Sequence, residues 1–296
     1  MQNSQVSRRQ VLACAAGATA ACALSSGLKP LLAADEKRGF KLGVCDWMTS
    51  KGGDPEVLRI AAELGLDGVM VSFGGPGGKY DLRKAEAREA WAAAAKKHGA
   101  VISSLGMGCL NGIPYKSDPR TEEWVSDAID AAKAVGVKVI LMAFFDKGEL
   151  KGDKAGTDEV IKRLKKVAPK AEKEGVILGV ESWLNAEEHL YILDGVGSPA
   201  VQVYYDVGNM TLKGYDIFKE IRQLGAKRLC EFHAKDYSNK PFGSAGCQID
   251  FPAVRKAMDD IGWRGWIQLE GATRGNVMTA YKQDRDYLKT IFPAEA

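Results

Sequence analysis

The chain has 296 residues, 46 % of them hydrophobic and 8 % aromatic, with 41 basic against 38 acidic side chains. That length suits one large α/β domain, and the apolar content excludes a disordered chain. The net charge of +3 belongs to residues 1–34, which carry Arg8, Arg9 and Lys29 and no acid; the 38 basic and 38 acidic groups left over exclude an electrostatic binder of nucleic acid or of an anionic membrane.

The chain opens with Ser7-Arg8-Arg9-Gln10-Val11-Leu12, continues in an Ala-rich run to Leu24, and then reaches Ser25, Ser26 and Gly27. A positive region, a weakly apolar region and small residues describe a secretory signal, and the adjacent arginines describe the twin-arginine route. Residues 1–34 are therefore expected to be a twin-arginine signal peptide and spacer, dispensable for folding. The mature protein is expected to be exported to the periplasm, with the twin-arginine machinery as its transport partner. The run of about 14 residues falls short of the roughly 20 that span a bilayer, and no later segment is long and apolar enough to do so. Cys14 and Cys22 fall in this segment, while Cys45, Cys109, Cys230 and Cys247 show no CxxC spacing and read as structural.

From residue 39 to 296 the pattern is that of one domain. Short β-rich runs at 41–45, 68–72, 101–105, 137–143, 176–181, 201–206, 228–233 and 266–270 alternate with amphipathic helical stretches. Asp54-Pro55 and Asp118-Pro119 supply helix starts. Leu64-Gly65, His98-Gly99, Val135-Gly136, Glu174-Gly175, Leu224-Gly225 and Ile261-Gly262 supply helix ends. Eight strand–helix units match a closed (β/α)8 TIM barrel. A doubly wound open sheet would carry a glycine-rich phosphate loop after its first strand, and Cys45-Asp46-Trp47-Met48 is not one.

Barrels of this kind carry their chemistry at the C-terminal ends of the strands. Four consecutive candidate strands end in a ligand-type side chain: Glu181, Asp206, His233 and Glu270. With neighbouring strands about 4.8 Å apart, the four can converge on one point. Three carboxylates and an imidazole buried together repel, and one divalent cation relieves that repulsion. Oxygen-rich ligation with a single nitrogen favours Mn²⁺ or Mg²⁺, with Co²⁺ or Zn²⁺ compatible. Taken singly, each acid also reads as the cap of the helix that follows it.

The motifs around these residues are Gly179-Val180-Glu181-Ser182, Tyr205-Asp206-Val207-Gly208-Asn209, Phe232-His233-Ala234-Lys235-Asp236, and Ile249-Asp250-Phe251 followed by Gly265-Trp266-Ile267-Gln268-Leu269-Glu270. In this order and spacing, over residues 40–292, the chain resembles the xylose-isomerase-like barrels of sugar isomerases and epimerases, which include the ketose 3-epimerases. The resemblance implies that Glu181, Asp206, His233 and Glu270 hold one divalent metal, and that Glu181 and Glu270 are the two proton-transfer carboxylates. An ion that holds a carbonyl and the adjacent hydroxyl acidifies the C–H beside the carbonyl, and two glutamates on opposite faces can invert that carbon. The pattern is departed from twice. Those epimerases carry a second histidine where this chain has Asn209, and a substrate-binding arginine where it has Asn239, so the resemblance leaves the sugar open.

Trp47 and Trp183 follow strands 1 and 5 and are candidates to stack on a sugar. Asn209 and Lys235 are candidates to bind its oxygens. Glu231 shares the alternation of His233 and Lys235 and reads as a structural hydrogen-bonding group. His98 and His189 read as structural. The function expected is a metal-dependent isomerase or epimerase of a sugar or sugar phosphate that works through an enediolate. Alternatives are a lyase or hydrolase of a keto-sugar or polyol at the same metal site, and a non-catalytic sugar-binding barrel. An apurinic endonuclease of the same fold needs more histidines at strand ends, and the neutral mature charge disfavours DNA. A homo-oligomer is compatible with the sequence.

Overall fold

Short β-rich segments joined by amphipathic helices satisfy their backbone groups and bury both faces when the strands pair in parallel under a layer of helices. A computed structural model describes residues 39–271 and 274–294. The signal segment expected at 1–34 lies outside the described residues. Strands β1 (Lys41–Cys45), β2 (Gly68–Ser72), β3 (Val101–Met107), β4 (Val139–Phe144), β5 (Ile177–Ser182), β6 (Val201–Asp206), β7 (Leu229–Ala234) and β8 (Trp266–Leu269) follow one another around a closed parallel barrel. The pair β1 and β8 closes the ring. Each strand is followed by one of the helices Val57–Glu63, Ala85–His98, Arg120–Val135, Lys154–Glu174, Ala186–Val196, Ile217–Leu224, Phe251–Asp260 and Val277–Ile291. The closed (β/α)8 TIM barrel expected from the sequence is the fold observed.

Local chemistry sets the joints. Asn185 caps the helix Ala186–Val196 through the backbone N–H of Glu188, and the Glu188 carboxylate returns the bond to the N–H of Asn185. The six glycines expected to end helices all take positive φ, between +64° and +77°. Only glycine enters that left-handed region without a Cβ penalty.

Side chains alternate across the barrel wall. On β4, Ile140, Met142 and Phe144 pack outward against the helices, while Val139, Leu141 and Ala143 face the barrel interior. Deeper in the interior lies a polar floor. One carboxylate oxygen of Glu231 accepts hydrogen bonds from Ser104 Oγ (2.9 Å), Tyr204 Oη (3.0 Å) and Gln268 Nε2 (3.2 Å). That is the structural role expected of Glu231. Among the described residues no helix is long and apolar enough to cross a membrane.

Candidate active site

The mouth at the strand C-termini gathers the four ligand-type residues. Asp206, the last residue of β6, is paired in register with His233 of β7. On β5, Glu181 is paired with Ala143 of β4. β8 ends at Leu269, one residue earlier than expected, yet the backbone N–H of Glu270 still bonds the Ala234 carbonyl at 3.0 Å and holds the side chain over the mouth. One potential ligand atom from each of Glu181, Asp206, His233 and Glu270 lies within 4.8 Å of all the others.

The histidine presents Nδ1 to the acids, 3.1 Å from Glu181 Oε1, 3.4 Å from Glu270 Oε2 and 3.8 Å from Asp206 Oδ2. Asp206 uses one oxygen as a helix cap, accepting from the N–H groups of Gly208 (2.8 Å) and Asn209 (2.9 Å). Its other oxygen is buried with no hydrogen-bond partner. A buried carboxylate oxygen without a hydrogen bond is costly, and the Lys235 ammonium 3.6 Å away offsets that cost by charge alone, which leaves the oxygen free to take a cation. The capping reading and the ligand reading of this acid thus each take one oxygen. Three carboxylate oxygens and one imidazole nitrogen suit a hard or borderline divalent ion, so the residues present fit a metal.

The two glutamates sit in unlike surroundings. Burial raises the Glu181 carboxyl above its ordinary range, against the pull of His233. Burial also acts on Glu270, but the charges of His233 and Lys235 and the hydrogen bonds of Lys235 and Trp47 outweigh it and hold the carboxyl down at about 2. Lys235 Nζ bonds Glu270 Oε2 at 2.9 Å and lies 3.6 Å from Asp206 Oδ2. Burial opposes the charge on that ammonium, and Asp206 and Glu270 outweigh it and raise its pKa.

The indole N–H of Trp47 donates to Glu270 Oε1 at 2.9 Å, so this residue grips the acid rather than only offering a face. Its loop is pinned by buried Asp46, which accepts from the N–H of Ser72 (2.7 Å), the Ser72 hydroxyl (2.7 Å) and the N–H of Gly53 (3.0 Å). Above the acids opens a cavity of about 420 Å³ lined by Trp47, Trp183, Asn209 and Lys235, the four expected there, and by Phe145 and Tyr237. The Asn209 amide reaches toward Glu181 Oε1 at 3.4 Å. Tyr237, absent from the sequence reading, donates its hydroxyl to Asn209 Oδ1 at 2.7 Å. Phe145 meets Trp183 edge to face at 5.1 Å. Both aromatics lie past strand ends, where periodicity carries no signal.

His98 ends its helix beside Gly99, and Asn239 takes a left-handed φ of 56° in the loop after β7. Neither lines the cavity. Cys45, read as structural, places its sulfur 3.4 Å from His233 Nε2. Among the described residues Cys45, Cys109, Cys230 and Cys247 are free thiols, and burial pushes the Cys45 thiol up to about 12.

A family model described as xylose isomerase-like TIM barrel matches residues 58–291. The chain belongs to that family. Among curated proteins, the 2-epi-5-epi-valiolone 7-phosphate 2-epimerase of Actinoplanes sp. is 26 % identical over 200 residues, which cover 66 % of this chain and 72 % of that protein. Among solved structures, the D-psicose 3-epimerase of Clostridium cellulolyticum H10 superposes with a TM-score of 0.71 at 17 % identity, covering 85 % of this chain and 99 % of that one. The 3-keto-D-glucoside 4-epimerase of E. coli does so with a TM-score of 0.71 at 16 % identity, again covering 85 % and 99 %. At such identities the structural likeness speaks for the xylose isomerase-like fold, and the site must be argued from its own residues.

Proposed function

We propose that this member of the xylose isomerase-like family is a metal-dependent sugar isomerase or epimerase that moves a proton on the carbon beside a carbonyl through an enediolate. One observation carries the reading: four ligand atoms within 4.8 Å of one another at the base of a sugar-sized cavity, one of them a buried Asp206 oxygen with no hydrogen-bond partner. The epimerases among its relatives support it. Glu181, Asp206, His233 and Glu270 would hold the ion, with Mn²⁺ or Mg²⁺ favoured by the oxygen-rich set and Co²⁺ or Zn²⁺ also suited to it. Bound there, a divalent ion polarises a carbonyl and acidifies the neighbouring C–H.

The protein's own groups do the rest. Glu270 is kept ionised by Lys235 and Trp47 and is fit to remove the proton. Glu181, whose carboxyl is raised above its ordinary range by burial, is the second carboxylate of the pair and is fit to return one. Lys235 and Asn209 offer donors to sugar oxygens, and Trp47 and Trp183 offer aromatic faces. Charge favours an uncharged sugar over a sugar phosphate. The three acids are balanced by Lys235 and one divalent ion, and Lys235 is the one cation among the described residues lining the cavity. A lyase reading has one observation in its favour: the Lys235 ammonium stands 2.9 Å from the base Glu270, where it could protonate a departing oxygen. Export to the periplasm rests on Arg8 and Arg9, in the segment outside the described residues.

The test begins with metal analysis of the purified protein and thermal melts with and without chelator. An ion present at 100 times its dissociation constant stabilises the native state by about 2.7 kcal/mol. The wild type should therefore melt lower in chelator, while Asp206→Ala should not respond. Uncharged ketoses, keto-glycosides and their phosphates are then incubated in D₂O and followed by NMR. Deuterium entering beside the carbonyl with an inverted or isomerised product supports the reading. Elimination products select the lyase, and binding without exchange selects a sugar-binding barrel. Equal melting curves with and without chelator overturn the metal site.

A further inference from the structure

A histidine that gives one ring nitrogen to a cation must carry its proton on the other, and that proton needs an acceptor to hold the ring in place. In most proteins the acceptor is a carboxylate or a backbone carbonyl. His233 is completely buried, with Nδ1 turned to the three acids of the mouth. Its Nε2 points the other way, into the barrel, to the equally buried Cys45 Sγ at 3.4 Å. The ring face is covered by Tyr204, whose centroid lies 4.6 Å away. The Tyr204 hydroxyl is committed to Glu231 and leaves Nε2 to the sulfur.

We propose that Cys45 is a positioning residue of the candidate metal centre: its sulfur accepts the Nε2–H of His233, fixes that tautomer, and so aims the Nδ1 lone pair at the point where the three carboxylates meet. The inference rests on the metal site proposed above. β1 sets the sulfur's place, since Cys45 is its last residue and its backbone is paired with Met70 of β2. A sulfur acceptor is longer and softer than an oxygen, and a neutral thiol adds no charge to a mouth that already holds three acids.

Mn²⁺ affinity, read from the EPR signal of free Mn²⁺, is compared among wild type, Cys45→Ala and Cys45→Ser. Removing the partner of a ligating histidine should weaken binding about 10- to 100-fold, and Cys45→Ser, which restores an acceptor, should recover part of that loss. Tight Mn²⁺ binding by wild type and by Cys45→Ala alike overturns this inference alone. Equal weakening in both variants assigns Cys45 to packing and overturns it too. Absence of Mn²⁺ binding by wild type overturns the metal site and the inference with it. Should the variants fail to fold, the wild type suffices. Long-range ¹H–¹⁵N spectra of ¹⁵N-histidine protein with Mg²⁺ or Zn²⁺ should show His233 protonated at Nε2 and bare at Nδ1, and a proton at Nδ1 overturns the proposal.

Discussion

Two histidines of this barrel are equally hidden and chemically opposite. His189, on the helix Ala186–Val196, is 2 % exposed; His233, at the mouth, is 0 % exposed. His189 meets only neutral partners, with Nε2 at 3.0 Å from the Ser182 hydroxyl and Nδ1 at 3.1 Å from the Asn185 carbonyl. Burial then dominates and lowers its pKa to about 4. Burial acts on His233 as well, but the carboxylates of Glu270 and Glu181 outweigh it and raise the pKa well above the ordinary histidine range. The lesson is that burial marks neither residue as functional. What separates them is whether the surroundings satisfy the ring with neutral groups or crowd it with acids that need a cation.

The largest effects should come from changing the acids on the His233 side. Glu181→Gln and Glu270→Gln keep side-chain volume and one oxygen that can still coordinate, while removing the carboxylate proposed to move a proton. Each should retain much of the bound metal and lose turnover by about 10² or more. The two losses need not look alike, because His233, Lys235 and Trp47 hold the Glu270 carboxyl down while burial raises that of Glu181. One variant should still exchange the substrate C–H with solvent without giving the inverted product. Near-wild-type turnover in both variants would remove the two-carboxylate mechanism.

The His189 side should show itself in stability instead. Its folded pKa of about 4 lies below the unfolded value of 6.5, so the unfolded chain binds more protons between those values. Stability is therefore fully present above pH 6.5 and falls as pH drops toward 4, by about 3 kcal/mol at most for this one group. His189→Gln cannot titrate, and its unfolding free energy in urea should decline less than that of wild type between pH 7 and pH 4.5. Parallel declines would show that His189 is not the buried neutral imidazole described here.

The contrast between the two histidines was legible in the sequence, since one ends a strand and the other sits within a helix. So were the barrel and the convergence of Glu181, Asp206, His233 and Glu270, because strand spacing and the helix–glycine–strand junctions are local features. Contacts set by geometry between distant segments were not. The Cys45–His233 contact spans 188 residues and depends on where β1 ends against β7. The register of β6 on β7 shifts between Val203 and Tyr204, which re-aims the last residues of β6 and pairs Asp206 with His233. The loop after β7 takes its shape from Asp236, whose carboxylate accepts from the N–H groups of Ser238, Gln248 and Ile249. No periodic pattern announces such a loop, and so Tyr237, which follows Asp236, was missed.

The smallest effect should come from that tyrosine, which works on the site through a neutral partner much as Ser182 and Asn185 work on His189. Tyr237 Oη donates to Asn209 Oδ1, and this orients the amide so that its NH₂ group faces Glu181 Oε1. Without the hydroxyl, Asn209 is free to turn its oxygen toward the carboxylate, an arrangement of two acceptors. One hydrogen bond between neutral groups is worth about 0.5–1.5 kcal/mol, so Tyr237→Phe should lower kcat/KM by about 2- to 10-fold. The ring is 44 % exposed, and the melting temperature should scarcely move. Metal affinity should hold as well, because the four proposed ligand residues are untouched; that separates this variant from Cys45→Ala, which should lose metal first. A Tyr237→Phe enzyme with unchanged kcat/KM would reduce the Tyr237–Asn209 bond to a surface contact and leave Asn209 oriented by its own backbone alone.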